Sequence, residues 1–407
     1  VLYFKIALLM SLSATSAFAL SWKDLVQSTK ENSSDLKAFQ ATLDSKVYKT
    51  KEAWAPFSPE AALIQKNLRQ FSDQGSNSYH SSNLEIKQNL FSGFGDLRNT
   101  ELSELALNKQ KLAGIKINAE LTKSLRTAAA EFAYSAELEK LNQEIAERLK
   151  NNLKLVSLRF DIGSENQGSV LLSEASLKEA SYELQLAKYQ KHNAMKSLTA
   201  ITGLQNVGSF DGVIPLDKPS DQINIDELLS NVPAAKELEL DSKMAEKKTS
   251  IAKSQFYPRV DLTYKKPLNS NFPGENGDND SIALIFTVPL FSGLSTYYNT
   301  RSLIAEESAL SFTHVNKLEK LKVEITEAHQ NLLNAYALLK VNESFEIAMK
   351  LRSKIAEKKY SNGLLKFDDW NAIEKELILK QKALLSAEKN ITLAWAHFDH
   401  ILGRGEF

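Results

Sequence analysis

The chain has 407 residues, 50 basic against 50 acidic side chains, and no cysteine. Balanced charge offers neither a nucleic-acid surface nor a polybasic membrane patch. The absence of cysteine excludes disulfides, thiolate metal sites and a cysteine nucleophile, and leaves no cysteine to carry an N-terminal lipid.

Lys5 precedes an apolar run from Ile6 to Leu12, and Ala17-Phe18-Ala19 follows. A positive start, a short apolar stretch and a small-x-small site read as a secretory signal peptide over 1–19. The run is shorter than the ~20 residues of a spanning helix. No later stretch has 18 consecutive apolar residues, so any membrane crossing by the exported chain must use β-strands.

Next comes an opening helix, roughly 22–54, then a strand pair at about 57–91. In the second of these strands Leu84, Ile86, Gln88 and Leu90 alternate with Glu85, Lys87 and Asn89, a period of two that gives a strand two distinct faces. Its partner, 57–71, alternates poorly. From Arg98 to Phe160 the sequence lacks proline, is rich in Leu, Ala, Lys and Glu, and spaces its apolar residues as a helix does. A helix of that length, roughly 90 Å at 1.5 Å per residue, needs an elongated bundle or coiled coil. It stops at the glycine turn Arg159-Phe160-Asp161-Ile162-Gly163, and a shorter helix returns over about 170–202.

The same order then repeats. Leu90-Phe91-Ser92-Gly93 recurs as Leu290-Phe291-Ser292-Gly293, 200 residues later, and Phe160-x-x-Gly163 recurs as Tyr360-x-x-Gly363-Leu364. Lys49-Thr50 and Pro59 recur 199 residues later as Lys248-Thr249 and Pro258. The chain therefore divides into a first repeat over 20–204, a linker or equatorial segment over 205–221, and a second repeat over 222–407 with its own helix, strand pair (about 258–290) and long helical hairpin. The hairpin tips fall near 160–169 and 360–369. A period this long describes two pseudo-equivalent halves rather than a solenoid. Four strands cannot close a barrel, and open strand edges in lipid cost several kcal/mol for each unpaired backbone group. If the strands lie in a membrane, the chain must oligomerise; a trimer supplies twelve.

The order of strand, Pro289-Leu290-Phe291-Ser292-Gly293, long helix, Arg159-Phe160-x-x-Gly163 or Tyr360-x-x-Gly363, and returning helix resembles the TolC family of outer-membrane efflux proteins. Phe256-Tyr257-Pro258-Arg259 also matches that family's helix-to-strand passage, and the resemblance covers nearly the whole chain. It implies a mainly α fold with a small β part: a homotrimeric α-barrel in the periplasm continuous with a twelve-stranded transmembrane β-barrel. It also implies export through the outer membrane with a periplasmic adaptor and an inner-membrane pump, proton-driven or ABC type. Carried over, Arg159, Phe160, Gly163, Tyr360, Gly363 and Leu364 are the tip and adaptor-contact residues. Leu90, Phe91, Gly93, Pro289, Leu290, Phe291 and Gly293 mark the barrel-to-tunnel junction.

The family often has an acidic residue six positions after the tip glycine. Here that residue is Asp369, beside Asp368, while the first repeat has Ser169 and a further acidic position is Ala372. Asp368 and Asp369 at a helix start suit capping and the helix dipole. Gathered by threefold symmetry, Asp369 would also form a cation-selective ring at the periplasmic aperture. Arg159, in a last helical turn, suits bonding to helix-end carbonyls. His397 and His400 share a helix face without a third ligand and read as solvated or core-edge residues.

No catalytic motif, nucleotide loop or cofactor site stands out. The expected function is an outer-membrane duct for small molecules. A type I protein-secretion duct is the nearest alternative, and a soluble periplasmic coiled-coil adaptor or scaffold is the rival from another class.

Overall fold

The computed structural model describes residues 20–72, 75–204, 210, 214, 216, 218–271 and 279–407. The expected signal peptide over 1–19 and much of the 205–221 linker lie outside the described residues. The chain is mainly helical with one small sheet: α1 (Trp22–Asn32), α2 (Ser34–Glu52), β1 (Glu60–Ser72), β2 (Gly75–Ser92), α3 (Gly95–Asp161), α4 (Gln167–Thr202), α5 (Ile225–Asn231), α6 (Pro233–Ser254), β3 (Arg259–Ser270), β4 (Ser281–Thr287), α7 (Ser295–Ser361) and α8 (Phe367–Ile401). No helix among them is long and apolar enough to cross a membrane.

The duplication is visible residue by residue. Helices α3 and α7 each have 67 residues and begin 200 positions apart, at Gly95 and Ser295. Strands β1 and β3 begin 199 apart, at Glu60 and Arg259. The hairpin registers match as well: Glu60 opposes Lys87 and Arg259 opposes Thr287, partners displaced by 199 and 200.

Three boundaries differ from the sequence expectation. Each opening helix is interrupted, at Ser33 with an extended backbone and at Val232 before Pro233; a proline disfavours helical geometry in the residue before it. Ala55–Phe57 forms a short 3-10 turn, so β1 starts at Glu60. The weakly alternating segment nevertheless forms a 13-residue strand, held by backbone pairing to β2 along its length.

The chain divides into two compact units. The first comprises α1, α4, α8 and the parts of α3 and α7 beyond residues 117 and 325. Its core gathers Trp22 and Leu25 from α1, Leu125, Ala129 and Phe132 from α3, and Leu198 from α4. Trp22 also donates from Nε1 to Glu406 at 2.8 Å, and Arg126 pairs with both Asp399 and Glu406. Farther along, Arg148 on α3 meets the buried Glu374 of α8 at 3.1 Å, joining the two hairpins through a charge pair.

The second unit holds α2, α5, α6, the sheet and the opening parts of α3 and α7. Here α3 lies against α2 on one side, with Phe39 over Gly114, and against α6 on another, through Lys109–Asp241 and Lys247–Glu101 pairs. The sheet is antiparallel in the order β1-β2-β3-β4. On one face lie Lys87, Asn89, Arg259, Asp261 and Thr263; the other carries Ile86, Leu84, Leu262, Val260, Leu284 and Phe286.

Gly203 ends α4 with φ +70°, and a Cβ there would sit 2.6 Å from Asn32. Gly163 has φ +73° but open space around it. Left-handed backbone alone costs an alanine about 1–2 kcal/mol. Gly203→Ala should therefore lower the melting temperature more than Gly163→Ala; equal shifts in thermal unfolding would contradict this packing.

Candidate functional site at the hairpin tips and strand-to-helix junctions

The tips lie in the first unit. Each long helix ends in the same glycine-closed turn. Gly163 and Gly363 adopt positive φ, and the following amides reach back five residues, Ser164 N–H to Arg159 O and Leu364 N–H to Lys359 O, both at 2.8 Å. These paired bonds satisfy carbonyls that the helix end would leave unbonded. Ile162 and Leu364 stand exposed on the turns.

The two tips differ above that shared backbone. Phe160 is exposed, whereas its counterpart Tyr360 is fully buried. Trp370 stacks on the Tyr360 ring at 4.3 Å and 17°, and Phe367 meets it edge-on. Val156 and Ala356 complete the cluster. From the first hairpin, Arg159 lies over the Tyr360 ring at 4.8 Å and donates from Nη1 to the Tyr360 carbonyl at 2.7 Å. Arg159 thus serves the end of the other long helix. The Tyr360 hydroxyl donates to Glu165 at 3.0 Å. Glu165 is itself oriented by bonds from Ser169 Oγ and the Asn166 amide.

Burial pushes the Tyr360 phenol above its ordinary value, the Glu165 bond and charge add to the rise, and Arg159 opposes it. A raised phenol keeps its full contribution to stability below its ordinary value of about 10 and loses it as pH climbs beyond.

Asp368 and Asp369 occupy the exposed first turn of α8. The expectation that one of them caps the helix needs correction. The cap position is Lys366, which makes no side-chain cap bond, so the two carboxylates favour the helix start only through its dipole. Asn166 does cap α4, accepting from Ser169 N–H at 3.0 Å. His400 pairs with Glu120 at 2.7 Å, while His397 is exposed. Sequence reasoning missed Trp370, Phe367 and Glu165. The aromatic pair flanking Asp368-Asp369 was the available signal; Glu165 gave none, because its counterpart is Leu365.

The junctions lie in the second unit. Between Asn89 and Phe91 the β2–β3 register slips by one residue, leaving Leu90 as a bulge. The slip moves Phe91 onto the face of Val260 and Phe286, away from Lys87 and Asp261. Two successive left-handed residues then turn the chain into each long helix: Gly93 and Phe94 (φ +64° and +63°), and Gly293 and Leu294 (φ +64° and +65°). Ser92 and Ser292 accept from the amides of Asp96 and Thr296, which opens the helices. Pro289, Leu290 and Phe291 follow the end of β4, and the last two are almost wholly exposed.

This architecture of two long helical hairpins and four strands is that of outer-membrane efflux channels. Residues 25–204, essentially the first repeat, match the model of the outer membrane efflux protein family. Among solved structures the chain is similar to the outer membrane protein VceC from Vibrio cholerae, with 19% identity, a TM-score of 0.80, and 94% of this chain and 96% of VceC covered. It is similar to the CmeC outer membrane channel of Campylobacter jejuni (14%, 0.80, 94% and 85%). It is also similar to the open state of the Neisseria gonorrhoeae MtrE outer membrane channel (16%, 0.79, 97% and 94%). At these identities the likeness is one of fold, and it runs through both repeats. A comparison with curated proteins gave no match. The family match to the first repeat and the fold shared with these channels bear out the resemblance read from the sequence.

Tyr360→Phe keeps the aromatic stack and removes the bond to Glu165. It should cost about 1–2 kcal/mol locally and speed amide exchange at the second tip when variant and parent are compared at the same pH; the stabilisation lost should be the same at any pH between about 6 and 9, where the phenol stays protonated. Unchanged exchange over 360–370 would refute the role given to this bond.

Proposed function

We propose that the chain is one subunit of a homotrimeric duct through the outer membrane. Three four-stranded sheets form a twelve-stranded barrel, and the helical hairpins form a periplasmic tunnel below it. The observation that carries this reading is a sheet with a polar face, an apolar face and two outer strands that have no further partner among the described residues. A soluble adaptor has no use for such a sheet, whose apolar side chains Ile282, Leu284 and Phe286 are exposed. In a bilayer only a closed barrel satisfies those edges.

In this reading the duct passes small molecules and performs no chemistry. A periplasmic adaptor engages the tips around Arg159, Phe160, Gly163, Tyr360, Gly363 and Leu364, and an inner-membrane pump supplies the energy. The structural domains follow the repeats, 20–204 and 222–407, joined by 205–221, behind a signal peptide over 1–19. Asp369, with Asp368 beside it, lies at the periplasmic aperture, where three copies make a ring of negative charge that favours cations.

Two measurements test the reading. The protein should fractionate with the outer membrane and conduct ions across planar bilayers as a trimer; recovery as a soluble periplasmic monomer would refute the duct. Asp369→Asn should reduce cation selectivity in single-channel recordings, and unchanged selectivity would remove Asp369 from the aperture.

A further inference from the structure

The first unit carries a groove that neither the tips nor the junctions use. On α3, Ser124, Thr127, Glu131, Ser135, Leu138 and Asn142 follow one another at steps of three and four, which places them on one face of the helix. Helices α4 and α8 flank this face, and the three enclose a groove of about 960 Å³. The contacts with α4 run antiparallel. Leu198 packs with Leu125 near one end, and Asn142 donates to the Glu183 carbonyl near the other.

The opposite face of α3 is covered. Leu125, Ala129 and Phe132 pack with Trp22 and Leu25 of α1, and Phe210 and Ile214 of the linker lie against the same core. Thr122 and Asn118 accept from the amides of Glu406 and Phe407, and Arg126 donates to the Glu406 carboxylate. A duct wall one helix thick has two surfaces, and these added layers occupy only one of them. Placed inside, they would narrow the passage. The groove is therefore the surface that such a duct turns to its lumen.

The groove is charged, and unevenly so. It is lined by three lysines, Lys123, Lys382 and Lys389, against two glutamates, Glu131 and Glu183, so it favours an anion. Lys389 pairs with Glu131 at 3.0 Å and lies over the Tyr134 ring at 4.4 Å, and Lys382 pairs with Glu183 at 3.4 Å. Both pairs are partly exposed, and such pairs contribute little, so their lysines can trade a glutamate for a passing anion. Lys123 has no carboxylate partner among the described residues. Lys382 and Lys389 stand two helical turns apart, about 10 Å, so cationic groups recur along the groove.

The repeat supplies an internal comparison. In the second hairpin Val323, Glu324 and Glu327 replace Lys123, Ser124 and Thr127, and Ala383 replaces Glu183. The equivalent face has gained acids and lost its lysine. The basic groove thus belongs to the first hairpin alone and does not follow from the duplicated backbone.

We propose that this groove is a lumenal subsite for anionic small molecules. Lys123 takes a carboxylate or sulfonate, and an apolar body rests on Ala128 and Ala194 toward Tyr134. This rests on the duct reading above and names a class of molecule that the duct carries. A wet, shallow site suits transit, because a passing molecule must be held well enough to enter and weakly enough to leave.

Naphthalenesulfonate serves as the probe, since its sulfonate stays ionised at any working pH. The full chain is reconstituted in planar bilayers, and the probe concentration that halves the open-channel current is measured for each variant. Lys123→Gln should raise that concentration several-fold, and Lys123→Arg should keep it near the parent value. Lys188 is exposed on α4 outside the groove, so Lys188→Gln should leave it unchanged. Block by naphthylmethylammonium, a cation of similar shape, should not weaken in Lys123→Gln. Channels that conduct but show no block, or a block that Lys123→Gln leaves unchanged, overturn the subsite and leave the duct standing. An equal shift in Lys188→Gln reduces the effect to overall charge and also overturns the subsite. A preparation that conducts no ions overturns the duct and the lumenal subsite together.

Discussion

The constraint on which the rest depends is the backbone edge. An antiparallel sheet of four strands has two outer strands whose amides and carbonyls find no partner within the sheet. Such edges are tolerated in water when short or charged, but not in hydrocarbon. Here β1 and β4 are the edges, and β4 carries Ile282, Leu284 and Phe286 on its apolar face. A chain that ended its design at this sheet would aggregate through β4. The proposed duct resolves this by closing the sheet edges into a barrel.

The duplicated Leu-Phe-Ser-Gly motif is where strand chemistry gives way to helix chemistry, and each of its residues has a physical task. Leu90 is the bulge that rephases the strand so that Phe91 joins the apolar face. Ser92 supplies the acceptor that opens α3. Gly93 takes a positive φ, at a point where any side chain would collide with α6. The following Phe94 also sits at positive φ, a costly state for a bulky residue. That cost is held in place by the helix behind it, through the bond from Arg98 N–H to Phe94 O.

Most of this architecture was legible in the sequence because it is periodic or repeated. The first long helix followed from a proline-free tract with helical spacing, strand β2 from period-two alternation, and the second copies from the repeat. What escaped was whatever depended on contacts between distant segments. Strand β1 lacks alternation because its identity is imposed by pairing with β2 rather than by its own side chains. The carboxylates of Asp368 and Asp369 had the composition of a cap, yet the cap position fell two residues earlier, at Lys366. Glu165 was invisible because its role is to receive the Tyr360 hydroxyl, 195 residues away in sequence.

The tips show where two equivalent halves stop being equivalent. Lys359, Leu365 and Asp369 stand where the first repeat has Arg159, Glu165 and Ser169, and Trp370 stands over Val170. The shared turns keep the two hairpins alike in backbone, so the divergence is confined to side chains. Its result is one-sided: Arg159 and Glu165 both act on Tyr360, while among the described residues no matching pair from the second hairpin holds the exposed Phe160. The second tip is therefore restrained by the first, through a ring contact and two hydrogen bonds rather than through backbone continuity. Each turn also keeps its own glycine-closed bonds, independently of this fastening. Duplication supplied two like hairpins; the side-chain differences at one end fasten the second tip to the first.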